Sequence, residues 1–386
     1  MKRLNPSLLT KVIIALVCGV LLGSVLPQGI VRIFVTFNSL FGNLLSFSIP
    51  LIILGLVTPA IGNLGKGAKR LLLITTLIAY GSTLFSGFFT YFSCLAIFPD
   101  LLPPSPLLDG LNKPETMSLE PYFTVAMPPF MNVMTALLLS FVIGMGLSSI
   151  KGTALKDGFR DFEEIITLLI EHILVPLLPL YIFGVFLNMS GHAQMEGFLE
   201  MFLLVILVIF VLHVLLLLIQ FCVAGVVSRK NPFRLLWTML PAYATALGTQ
   251  SSAATIPVTM KQAIKNGVDE NVATFTVPLC ATIHLAGSTM KIVACAMAIM
   301  IMLDMPMSFS MFAGFIMMLG ITMVAAPGVP GGAIMAALGV LNTMLGFTEA
   351  HQSMMIVLYI VMDSFGTACN VTGDGAIAVI VNRIKG

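Results

Sequence analysis

Residues 235 to 260 read LLWTMLPAYATALGTQSSAATIPVTM, an apolar stretch broken in its middle by Gly248, Thr249, Gln250, Ser251 and Ser252. Basic residues flank it on both sides: Arg229, Lys230 and Arg234 before it, Lys261 and Lys265 after it. Basic loops stay on the cytoplasmic side of a membrane, so the chain is expected to enter and leave this segment on one face. That describes a re-entrant hairpin, whose non-helical tip is tolerated only against protein or a wet cavity. A kinked spanning helix would carry the same break but would leave the flanking basic clusters unexplained.

The surroundings agree with a membrane. Of 386 residues 58% are hydrophobic and 9% charged, against roughly a quarter charged in a soluble domain, and the mean hydropathy is +1.04. Apolar runs of membrane-spanning length recur from end to end, which reads as an all-α, multi-pass protein of the cell membrane. Most of the Lys and Arg fall in short clusters, at Lys2, Arg3 and Lys11; Lys66, Lys69 and Arg70; Lys151, Lys156 and Arg160; the two around residues 235 to 260; and Arg383 and Lys385. Acidic residues (Asp100, Asp109, Glu115, Glu120, Glu196, Glu200) occupy the alternate loops, so both termini are expected to be cytoplasmic. Basic charge spread this way is a topology signal and offers no nucleic-acid patch. The six cysteines lie in apolar stretches without CxxC or metal-ligand spacing and read as packing residues.

Long uninterrupted helices are expected at about 8–28, 31–62, 66–98, 129–150, 160–189 and 197–227, with a Pro-rich, acidic outer loop over 99–128. A second broken apolar segment, about 307–346, is interrupted at AAPGVPGGA (325–333), and helix parity puts its ends outside. Two interrupted segments of opposite orientation, each followed by a polar-interrupted helix, suggest inverted repeats around a midplane site. The expectation is about eight transmembrane helices plus two opposed re-entrant hairpins.

The last helix carries Asp363, Thr367, Asn370 and Asp374, a spacing that puts all four on one helical stripe. A carboxylate at the bilayer centre costs at least ~2.5–3.5 kcal/mol on insertion scales, so these two need cationic partners. A transported cation and a substrate ammonium fit that need; an interhelical polar clamp is the alternative. The preceding helix, about 271–303, is broken at ATIHLAGST (281–289). Such a break frees carbonyls for a cation and aims a half-helix N-terminus at an anion, with His284 and Ser288 as added ligands.

The stretches GTQSSAATIPVTM (248–260), ATIHLAGST (281–289), GVPGGAIM (328–335) and NVTGD (370–374) resemble, in order and spacing, those of the dicarboxylate/amino acid:cation symporter family, the glutamate-transporter homologues. The first half resembles the family mainly in hydropathy. The resemblance implies a homotrimer and an elevator mechanism. It implies scaffold helices over 1–62 and 129–189, and a mobile transport domain over 66–98 and 195–386. It also implies that Asp363 takes a substrate's amino group and Asn370 its carboxylate, with Ser251 and Ser252 at the first hairpin tip. Gly328, Val329 and Gly331 would gate the site, Ser288 and Thr367 would line it, and a sodium ion would sit at the Asn370 carbonyl and Asp374.

Departures from the family pattern carry information too. The arginine that pairs an acidic side chain in glutamate transporters falls at Gly366, and the hairpin-tip arginine at Gln250. Without either, a second substrate carboxylate lacks a bidentate partner, and DSFGTACN resembles the serine/threonine branch. The reading is a symporter of a small neutral amino acid (serine, threonine or alanine) with sodium, or a proton, as coupling ion and no cofactor. A dicarboxylate or acidic amino acid symporter using Lys291 as the anion partner is the alternative. His284 and Ala286 replace sodium-coordinating residues of the family pattern. His284 therefore reads either as a proton-carrying substitute for an ion, since imidazole exchanges protons near neutrality, or as a hydrogen-bonded core histidine. Lys291, deep in an apolar run, reads as a counter-charge to Asp363 or Asp374. No Ser/His/Asp, HExxH or Walker-type pattern points to an enzyme.

Overall fold

Inside a bilayer every backbone N–H and C=O must be satisfied within its own segment, which leaves the helix as the form open to these apolar runs. The computed structural model describes residues 8–23, 25–63, 69–102, 119–189, 195–324, 326 and 330–385. The elements among them are helical: α1 Leu8–Gly23, α2 Gln28–Asn63, α3 Lys69–Leu101, α4 Val133–Ser149, α5 Ala154–Leu169, α6 Val175–Met189, α7 Met195–Ser228, α8 Pro232–Thr249, α9 Ser252–Lys265, α10 Glu270–Ile283, α11 Ala286–Met302, α12 Phe309–Val324, α13 Gly332–Leu345, α14 Glu349–Val361 and α15 Asp363–Lys385. A π-helical turn, Ile170–Leu174, joins α5 to α6. No strand occurs among the described residues.

Among the described residues, six stretches are long and apolar enough to cross a membrane: Gln28–Pro59, Leu71–Leu101, Ala154–Asn188, Phe202–Ser228, Glu270–Met302 and Asp363–Lys385. Two of the expected spans, α1 and α4, have 16 and 17 residues, which at 1.5 Å per residue is short of the ~30 Å hydrocarbon core. The fifth expected helix begins earlier than its hydropathy suggests, at Ala154, because its first turns (ALKDGFR) are charged and exposed, while Ile166 reaches the core further on. The third runs past 98 to Leu101, through Pro99. The described end of the outer loop lies on α2: Arg32 Nε donates to the Glu120 carbonyl at 2.7 Å, and its guanidinium sits 4.5 Å from the Tyr122 ring centre.

Helices α1, α2, α4, α5 and α6 pack on one another. Helix α3 leaves that group to pack on α10, α11 and α12, and α15 is enclosed by α7 to α11. The two groups meet where α2 touches α13 and α1 touches α14, and where the Tyr181 hydroxyl bonds Ser353.

The first interrupted segment is a helix–turn–helix unit, and the second is a pair of helices whose join at 325 and 327–329 lies outside the described residues. Asn231 caps α8 by accepting the Phe233 and Arg234 N–H groups, and Gln250 ends it in a left-handed conformation with φ 53°. Ser251 then caps α9. At the far end Lys230 Nζ donates to the Asn266 carbonyl at 2.6 Å, and Asn266 Nδ2 to that of Leu235 at 3.0 Å. The two ends of the α8–α9 unit therefore lie side by side. Helices α12 and α13 also pack on each other, and Gly331 opens α13 at φ 75°.

Candidate functional site

The site forms where the break between α10 and α11 faces the start and middle of α15. Glycine lets these elements approach closely: a Cβ on Gly287 would stand 2.6 Å from Cys369 Cβ and 2.7 Å from the Gly366 carbonyl. The N–H groups at the start of α11 have no partner within their own helix. Asn370 supplies one, its Oδ1 accepting from Gly287 at 2.8 Å and Ser288 at 3.3 Å. Asn370 Nδ2 donates to Ser288 Oγ at 3.1 Å, which also accepts the Tyr359 hydroxyl at 3.0 Å. Ser86, on α3, holds the Ala286 carbonyl at 2.6 Å. The break is thus braced from two sides by side chains.

About two turns earlier on α15, Asp363 is paired on both oxygens. Its Oδ1 lies 3.3 Å from Lys291 Nζ, and its Oδ2 accepts the Gly331 N–H at 2.7 Å. The Lys291 ammonium also donates to the Met362 carbonyl at 3.2 Å and stands 3.7 Å from the Tyr359 ring centre, a cation–π contact in a dry setting. Lys291 passes directly over Gly366, where a Cβ would lie 2.2 Å from its Cε and 2.4 Å from its Nζ. Both charged side chains are almost wholly covered, at 1% and 7% exposure. A buried pair of this kind neutralises charge that the interior could not otherwise hold.

The second carboxylate has a different partner. His284 Nδ1 meets Asp374 Oδ1 at 2.8 Å, its Nε2 meets Ser82 Oγ at 3.1 Å, and Gln220 Nε2 donates to that same hydroxyl at 3.1 Å. With the ring proton on Nδ1, donors run in one direction from Gln220 through Ser82 and His284 to Asp374. Gln220 Oε1 is buried without a hydrogen-bond partner among the described residues. A mainly apolar crevice of about 270 Å³, lined by Ser82, Gln220 and Gly373 among others, opens beside it.

The stripe residues are therefore brought together with the α10–α11 break, in two clusters rather than one. Thr367 Oγ1 turns back to its own helix, donating to the Asp363 carbonyl at 3.0 Å. Ser251 accepts the Ala254 N–H at 3.3 Å, and Ser252 is buried at the start of α9, which packs on α15. Gly331 reaches Asp363 through its N–H, whereas Gly328 and Val329 lie outside the described residues. Lys291 is the counter-charge of Asp363 and not of Asp374.

Ser82, Ser86, Gln220 and Tyr359 were not singled out in the sequence. Gln220 is a lone amide in the run VLLLLIQFCV, and Ser82 and Ser86 are one turn apart on α3, so intramembrane polarity was the signal that could have found them. His213 stacks on Phe210 and meets the Tyr243 ring edge-on, and its Nε2 has no hydrogen-bond partner among the described residues; Glu171 and His172 are both exposed on the π-helical turn. Of the six cysteines, all free, Cys222 is exposed.

Residues 8–384, from α1 to the end of α15, match the model of the sodium:dicarboxylate symporter family. The chain belongs to that family. Among its relatives, the serine/threonine transporter SstT of Streptococcus suis is 27% identical over 348 residues, covering 86% of this chain and 94% of that protein. Excitatory amino acid transporter 1 of Rattus norvegicus is 30% identical over 266 residues, 66% of this chain and 47% of its own length. Excitatory amino acid transporter 4 of Mus musculus is 30% identical over 277 residues, 68% and 48%. The chain spans about half the length of these mammalian relatives. As a sodium:dicarboxylate symporter family member with several apolar helices, the protein is a multi-pass membrane transporter, and the coupling ion of its family is sodium.

Proposed function

We propose that the protein imports a small zwitterionic amino acid, of the serine, threonine or alanine kind, together with sodium. The observation that carries this is the pairing of Asp363 with Lys291. Whichever of the two holds the proton, the pair sums to zero, and it offers one anion to an ammonium and one cation to a carboxylate. A zwitterion slots between them with its own charges matched. A dicarboxylate adds two negative charges against one cation, in surroundings where unpaired charge is costly. The similarity to a serine/threonine transporter over most of both chains supports the same reading.

In this reading α8–α9 and α12–α13 are opposed re-entrant hairpins. Helices α1, α2 and α4 to α6 form the scaffold of a homotrimer, and the remaining helices move as the transport domain, with both termini cytoplasmic. Asn370, through its carbonyl, and Asp374 serve the coupling ion. One observation favours a second reading: Lys291 fills the space over Gly366, where the family pattern has an arginine for an acidic side chain, so a dicarboxylate could use it as its partner. Uptake of labelled serine, aspartate and succinate into proteoliposomes, under separate sodium and proton gradients, decides between them. Sodium-driven serine uptake that Asp363→Asn abolishes is the expected result; uptake confined to aspartate or succinate, lost in Lys291→Met, selects the second reading.

A further inference from the structure

The symport reading accounts for a loaded site but not for how the carrier resets. After releasing amino acid and sodium inside, the site must recross the membrane, and Asp363 would recross as a bare carboxylate in a dry interior. We infer that Lys291 is a tethered counter-ion, which takes the place of the substrate's ammonium on Asp363 for the return and turns to the substrate's carboxylate on loading. The inference rests on the zwitterion reading above.

Four features of the site carry it. Lys291 is the only cationic side chain bonded to Asp363 among the described residues, His284 being committed to Asp374. Its ammonium has two anchors that a substrate need not displace, the Met362 carbonyl and the Tyr359 ring, so leaving Asp363 Oδ1 is a swing and not an ejection. The missing side chain at Gly366 gives the lysine its berth, since any Cβ there would overlap its Cε. Asp363 Oδ2 meanwhile holds the N–H of Gly331 at the start of α13, so the neutral pair also keeps that turn against the site during the return.

Partners are exchanged in a balanced way. Unloaded, Asp363 faces Lys291 and the sum is zero. Loaded, Asp363 faces the substrate ammonium and Lys291 the substrate carboxylate, and the sum without the coupling ion is again zero. Remove the lysine, and a loaded site still has the ammonium to answer Asp363 and the Asn370 amide to answer the carboxylate, at a loss of affinity. The unloaded site finds none. Net uptake needs the unloaded return; exchange of internal for external amino acid does not.

The test uses the full chain in proteoliposomes with labelled serine. Net uptake is measured into serine-free vesicles under an inward sodium gradient, and exchange into serine-loaded vesicles with sodium on both sides. Wild type is expected to do both. Lys291→Met, and independently Gly366→Ala, which pushes the lysine from its berth, are expected to keep measurable exchange, slowed by the loss of the cation that faces the substrate's carboxylate, while net uptake falls at least tenfold further than exchange. Exchange itself shows that a variant is folded. Equal loss in the two assays, or no loss in either, overturns the inference while leaving the amino acid reading intact. A wild type that moves serine in neither assay overturns both together.

Discussion

His284 and Asp374 form a closed pair across the break between α10 and α11, Nδ1 to Oδ1 at 2.8 Å, with the two side chains at 0% and 1% exposure. Removing one partner of such a pair leaves a buried polar group with nothing to answer it, a loss of about 3–5 kcal/mol when the survivor is charged. His284→Ala is therefore expected to destabilise the protein severely in detergent. His284→Asn, which keeps a donor near the carboxylate, should lose clearly less. Chemical denaturation of the two variants compares them, and equal stability of both with wild type would remove the pair from the structural argument.

Asn370 is the remote cap of α11 as much as a ligand candidate. Asn370→Ala strands the Gly287 and Ser288 N–H groups and should lower stability by about 0.5–2 kcal/mol, the range of a lost N-cap. Asn370→Asp restores the acceptor but not the donor to Ser288 Oγ. It is expected to recover most of the stability and little of the uptake, a divergence that paired melting and transport measurements would reveal.

Gly331 holds Asp363 with a backbone N–H while sitting at φ 75°. An alanine there meets the left-handed penalty of ~1–2 kcal/mol and shifts the N–H away from the carboxylate. Gly331→Ala should raise the KM for serine several-fold with a smaller effect on the maximal rate, since the substitution leaves Lys291, Asn370 and Asp374 in place. An unchanged KM would show that this bond does not matter for loading.

The side-by-side ends of the α8–α9 unit give a direct topology test. With native Cys222, which is exposed, and Cys18, which is half-buried, replaced by serine, leaving four buried cysteines, cysteines introduced one at a time at Arg229 and Lys265 should be labelled by an impermeant thiol reagent from the same side of sealed vesicles. Labelling from opposite sides would mean that the chain crosses the membrane between them.

Much of this arrangement could be read from residue spacing. Breaks at Gly248 to Ser252, His284 and the region before Gly331 were visible because each places polar or helix-breaking residues inside an apolar run, and the α15 stripe was visible because helical periodicity aligns residues four, three and four apart. What spacing could not give was partner choice. Asp363 and Asp374 both needed a cation, but which of His284 and Lys291 serves which depends on the relative rotation of α11 and α15, a tertiary property set by close contacts such as Gly287 against Cys369. The break at Met362, which separates α14 from α15, was also hidden. No proline or glycine marks it, and its carbonyl accepts both the Gly366 N–H at 3.0 Å and the Lys291 ammonium at 3.2 Å. Ser82 and Gln220 come from segments far away in the chain, so no local pattern ties them to His284.

The fit between Gly366 and Lys291 bears on how such a site could have arisen. With any side chain at 366, a lysine at 291 collides with it; with glycine at 366 and no lysine, Asp363 keeps no cationic side chain and a hole opens above it. The two positions should therefore show strong epistasis: changing both costs less than the sum of the two single changes, with a coupling energy toward the upper end of the ~0.5–3 kcal/mol seen for residues in contact. Of the two orders of change, glycine first is the passable one, because a cavity costs less than an overlap of 2.2 Å.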